Sequence, residues 1–78
     1  MPSNTGHDKT RPPTLAEVRR WPASVGVPTA ATAFGISRSQ AYALIKHEEF
    51  PAKVLRVGHR LRVVTASIIQ VLSEGAEL

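Results

Sequence analysis

The stretch Gly35-Ile36-Ser37-Arg38-Ser39-Gln40-Ala41-Tyr42-Ala43-Leu44-Ile45-Lys46 constrains the fold more than any other. Gly35 can end a helix, because it adopts left-handed backbone angles without a Cβ clash. Ser37 can start another, its hydroxyl accepting an orphan backbone N–H of the first turn. Gln40, three residues on, completes a capping box with Ser37. Ala41, Leu44 and Ile45 fall at i, i+3 and i+4 and form the apolar face of the second helix. Ser39, Tyr42, Ala43 and Lys46 lie opposite, with Arg38 and Gln40 in the exposed first turn. Two helices joined by so short a turn cross steeply, which is helix-turn-helix geometry.

Upstream, Val25 and Gly26 lead into Val27-Pro28, with Pro28 suited to a first helical turn where its missing N–H costs nothing. A helix from Thr29 to Phe34 follows, with small Ala30, Ala31 and Ala33 allowing close approach. Thr14 to Trp21 reads as another short helix, opened by a Thr14/Glu17 capping box and stopped by Pro22. Leu15, Val18 and Trp21 share its apolar face, and Trp21 reads as a core anchor. Residues 1–13 hold three prolines and little that is apolar, so they read as a disordered tail. Lys9 and Arg11 leave open a basic arm that enters a minor groove.

Downstream, Phe50-Pro51 breaks the helical pattern, and from Val54 the period becomes two. Leu55, Val57, Leu61 and Val63 alternate with Arg56, Arg60 and Arg62, with Gly58 at the turn. A two-residue Gly58-His59 loop would pair Val57 with Arg60 and mix the faces. A three-residue Gly58-His59-Arg60 loop pairs Val57 with Leu61 and Leu55 with Val63, keeps one apolar face, and is the expected register. It places Arg56 opposite Arg62 on the outer face, with His59 and Arg60 at the tip. Thr65 can cap a last helix, Ala66 to about Ser73, buried through Ile68, Ile69, Leu72 and Val71. The expected architecture is α+β, mostly α: a winged helix-turn-helix of three to four short helices and one β-hairpin wing. Residues 14–74 form the domain, and residues 75–78 a short exposed tail.

Seventy-eight residues suffice for one small core and leave no room for a catalytic cleft with separate walls. Cysteine is absent, which excludes disulfides and thiolate metal sites and fits a reducing cytoplasm. His7, His47 and His59 lack ligand spacing, so no metal or other cofactor is expected. Glu48 and Glu49 are adjacent and cannot share a helix face as an acid/base pair. No glycine-rich phosphate loop and no nucleophile–base motif is present. The chain reads as a non-enzyme, cytoplasmic, with neither a signal peptide nor a membrane span.

The charge points to a partner. Between Ser37 and Val64, Arg38, Lys46, Lys53, Arg56, Arg60 and Arg62 stand against Glu48 and Glu49, so this stretch matches the whole chain's net charge of +4. A concentrated basic patch suits a polyanion. A capped amphipathic helix followed by an arginine-bearing hairpin suits duplex DNA, the helix in the major groove and the hairpin on the adjacent groove or backbone. The other class left open is a protein-interaction module whose basic hairpin meets an acidic partner.

The segments Val27–Ala31, Gly35–Tyr42, Phe50-Pro51 and Val57–Val63 resemble the small winged-helix proteins of the excisionase and MerR-like group. Those proteins carry a G-[IV]-S-R-S-x-x-Y segment, an F/L-P step and an R-V-G-x-R wing, and the likeness spans about residues 25 to 73. The resemblance implies that Arg38, Ser39, Tyr42 and Lys46 face DNA from the recognition helix, and that Gly58, His59, Arg60 and Arg62 do so from the wing. Gln40 divides between its capping role and an adenine or phosphate contact, and Arg56 between a DNA contact and field neutralisation. Ala43 stands where relatives often carry a long polar side chain, so readout by the helix rests on few residues. The larger MerR regulators have a long dimerisation helix after the wing, which this chain is not expected to form. The implied roles are an excisionase acting with an integrase, cooperatively self-associated on attachment-site DNA, or a small transcription regulator at a promoter.

Overall fold

A computed structural model describes residues 12–76. In chain order the elements are α1 (Leu15–Val18), β1 (Ser24–Gly26), α2 (Val27–Phe34), α3 (Arg38–Lys46), β2 (Val54–Val57), β3 (Arg60–Val64) and α4 (Thr65–Ala76). The three strands form one antiparallel sheet in the order β1-β3-β2. This is a small α+β domain in which α2 and α3 make the helix-turn-helix and β2–β3 make the wing. The expected tail at residues 1–13, with its candidate arm residues Lys9 and Arg11, lies almost wholly outside the described residues.

Local chemistry explains most helix boundaries. The Thr14/Glu17 capping box is complete: the Glu17 N–H donates to Thr14 Oγ1 at 3.2 Å and the Thr14 N–H to Glu17 Oε1 at 2.7 Å. After Val18 the bonds shorten to i→i+3, with Arg20 N–H on Glu17 O and Trp21 N–H on Val18 O. The chain thus tightens out of α-helical form before Pro22, and α1 is shorter than the expected Thr14–Trp21 span. Gly35 closes α2 at φ +69°, its N–H and that of Ile36 returning to Thr32 and Ala31. The end of α3 repeats this motif, with Glu48 and Glu49 N–H returning to Ile45 and Leu44. There the left-handed position is held by Glu48, at φ +58°, the one non-glycine residue with positive φ among those described.

The core lies between the inner face of the sheet and the helices. Val18, Val27, Ala30, Ala41, Val63 and Ile68 are all but inaccessible. Trp21, Phe34 and Phe50 pack around it half-buried, and the Phe34 and Phe50 rings meet edge to face at 5.7 Å.

Three further expectations about the elements need correction. First, Val25 and Gly26 do more than lead into α2: with Ser24 they pair with Val63, Arg62 and Val64. Second, the last helix begins at Thr65 and runs to Ala76, past Gly75. The buried Thr65 hydroxyl donates to the Pro22 carbonyl, a non-local acceptor, and so fastens the start of α4 to the segment before β1. Third, the wing takes the two-residue loop. Val57 pairs with Arg60, Arg56 with Leu61, Leu55 with Arg62, and Val54 with Val63. Gly58 at φ +62° followed by His59 at a negative φ matches a II′ hairpin turn, whose twist suits the strands better than a longer loop. The faces are mixed as a result: Val54, Leu61 and Val63 point inward, while Leu55 and Val57 lie exposed on the outer face.

Candidate nucleic-acid interface

α3 is placed by its own sequence. Ser37, in extended conformation, accepts the Gln40 N–H on Oγ at 3.1 Å. The Gln40 side chain makes no return bond, so the capping box is half of what was expected and the Gln40 amide is left to the surface. Ala41 and Ile45 are buried and Leu44 is half-buried, which anchors one face of the helix. Arg38, Ser39, Gln40, Tyr42, Ala43 and Lys46 are all exposed on the rest of it. The helix can therefore offer a contiguous polar surface without giving up any packing.

At the wing, Gly58, His59 and Arg60 are exposed at the hairpin end. Arg62 behaves differently. It is half-buried, and its Nε donates to Ser24 Oγ at 3.2 Å while Nη2 donates to the Ser24 carbonyl at 2.9 Å. Arg56 does not face Arg62 across the hairpin. Its partner is Leu61, and it lies on the opposite face. There it lines an open cleft of about 270 Å³ beside Ile45, Glu48 and Phe50. The carboxylate of Glu48 in that lining sets Arg56 apart from the other wing cations.

A second open cleft, of about 320 Å³, lies where α3, the wing and the start of α2 meet. Tyr42 from the helix and His59, Arg60 and Arg62 from the wing line it, together with Gly26 and Pro28. The fold thus brings one candidate residue of the recognition helix and three of the wing to a single hollow, and leaves Arg38, Ser39 and Lys46 elsewhere on α3. Ser24 was missed as a contributor. No local signal marks it, because the strand that carries it is three residues long and pairs with residues 62–64.

Residues 27–70, more than half of the chain, match the family described as prophage CP4-57 regulatory protein (AlpA). The chain belongs to the AlpA family. The AlpA match covers α2, α3, the whole wing and the first half of α4, and so contains every candidate contact residue of the recognition helix and the wing. It leaves out α1 and β1, which supply Val18, Ser24 and Val25. Neither the curated proteins nor the solved structures give a match. As a member of a prophage regulatory family the chain is a regulator. No helix among the described residues is long and apolar enough to cross a membrane.

Proposed function

We propose that this AlpA-family regulator binds duplex DNA, laying α3 in the major groove and setting the β2–β3 wing against the adjacent groove or backbone. The observation that carries this reading is the meeting of the α3 surface and the wing cations at one carboxylate-free hollow, with Tyr42 on one side and Arg60 on the other. Arg38, Ser39, Gln40, Tyr42 and Lys46 supply donors from the helix, and Gly58, His59, Arg60 and Arg62 form the wing contact. Arg56, beside Glu48 on the other face, is the weakest member of the set.

Within that reading the chain acts as an excisionase: it binds and bends attachment-site DNA beside a partner integrase, with neighbouring copies binding cooperatively. A single module of this size buries little surface, so tandem sites are the way to useful affinity. The second reading, a transcription regulator at a promoter, is favoured by the regulatory description of the family.

The test is a gel shift and footprint on DNA flanking the gene, followed by an excision assay with any integrase encoded beside it. A footprint over an attachment site with excision dependent on the protein supports the excisionase role. A promoter footprint without effect on recombination replaces it with the second reading. With about five phosphates neutralised, affinity falls with salt at a log–log slope of roughly −4 to −5. Arg38→Ala and Arg60→Ala each lose about 1–3 kcal/mol of specific binding if they read a base, and less if they touch phosphate alone. If both bind like the parent, this is not the DNA-facing surface.

A further inference from the structure

We propose that Arg62 is a pre-set anchor for one DNA backbone phosphate, positioned by Ser24; this rests on the DNA-binding reading above. Two of its three guanidinium nitrogens are already engaged by Ser24, Nε on the hydroxyl and Nη2 on the carbonyl. Those bonds tie the side chain down across β1 and hold it back on the sheet. An arginine so held cannot extend into a groove to read a base edge. Its outer Nη edge is left to donate to an anion that comes to it.

The place where Nη1 lies supports the same assignment. A Cβ at Gly26 would sit 3.9 Å from Arg62 Nη1 and 3.7 Å from Pro28 Cδ, ordinary contact distances, so the guanidinium lies beside Gly26 without depending on its missing side chain. Gly26 and Arg62 are also cross-strand neighbours. Both line the hollow shared by Tyr42, His59 and Arg60. That hollow is about 320 Å³, open to solvent, and no acidic residue lines it. A phosphodiester there would meet one fixed cation, one mobile cation in Arg60 and a phenol hydroxyl in Tyr42. A strand running from the groove occupied by α3 to the groove beside the wing would cross it. Because Ser24 already restrains Arg62, the contact costs little side-chain freedom on binding. Phosphate recognition also carries no base preference.

The test is a double-mutant cycle between Arg62 and single phosphates. Duplexes carrying one neutral methylphosphonate at successive backbone positions are titrated with the wild-type chain and with Arg62→Ala. We expect Arg62→Ala to weaken specific and random duplex alike by about tenfold, and to lower the magnitude of the salt slope by about one. One methylphosphonate position should weaken the wild type by a similar factor and leave Arg62→Ala unaffected. Ser24→Ala, which keeps the carbonyl bond and the charge, should lose about two- to threefold with its salt slope intact. If Arg62→Ala does not fold, Arg62→Lys takes its place in the cycle, and the loss should fall at the same phosphate.

A purely structural Arg62 would change the melting temperature but couple to no phosphate and leave the salt slope as it was, which overturns the inference. A Ser24→Ala variant that binds like the parent overturns the positioning part of it. If the wild-type chain binds no duplex at low salt, the DNA-binding reading itself fails and the inference with it. Binding without coupling fells the anchor alone.

Discussion

α3 and the wing present comparable cationic surfaces, but they are specified in different ways. In α3 the side-chain faces follow from a period of 3.6 and from a cap four residues long, so neighbours in sequence decide which residues are buried. In the wing the faces follow from the turn. A one-residue change in loop length carries every side chain to the other face, and the decision rests on Gly58 and His59 alone. The apolar alternation of Leu55, Val57, Leu61 and Val63 argued for a loop that kept one greasy face. The turn geometry prevailed because the outer half of the hairpin has no core beneath it: Arg56, Val57 and Arg60 are all exposed. A local rule governed the helix, whereas in the wing a local turn outweighed a pattern that presumed burial.

The largest effect that sharpens this contrast is expected at the centre of the sheet. Val63, fully buried and paired on both sides, loses about 2–3 kcal/mol of stability on Val63→Ala, measured by urea unfolding. Val57→Ala on the outer face stays within about 0.5 kcal/mol. Comparable losses at the two positions would mean that Val57 faces inward and the register is the three-residue one.

Next in size are the two left-handed glycines. Neither Gly35 nor Gly58 has an atom within 4 Å of a new Cβ, so alanine meets only backbone strain, about 1–2 kcal/mol at each. A Gly58→Ala variant as stable as the parent would break the two-residue-turn assignment. The cap of α3 comes third: Ser37→Ala should cost about 1 kcal/mol by thermal or chemical unfolding. Glu48→Gly should raise stability by about 0.5 kcal/mol, the left-handed strain relieved outweighing the added chain entropy. Smallest is Gln40→Ala, within about 0.5 kcal/mol, because its amide makes no bond back to Ser37. A full unit of loss there would restore the capping box.

Where the sequence was legible, the interactions were short-range. The Thr14/Glu17 box, the Gly35 stop, the Ser37 start and the exposed face of α3 were all readable from residues within five positions of one another. What was not legible depended on distant partners. β1 is three residues long, too short to display a period, and its pairing residues lie beyond position 61. Ser24 therefore could not be linked to Arg62. Thr65 has the composition of a cap, and only the proximity of Pro22 redirects its hydroxyl. Within the candidate site, the grouping of Tyr42 with His59, Arg60 and Arg62 depends on how α3 docks against the wing, which no single stretch encodes.

The pairing of β1 with β3 also sets an order of events. Ser24 meets Val64, and the Thr65 hydroxyl meets Pro22, so the front of the domain is closed by residues some forty positions later. During synthesis Val25 and Val18 have no settled place until β3 and α4 have been made. The contact that fastens Arg62 to Ser24 spans 38 residues, so it cannot form until β3 has been made.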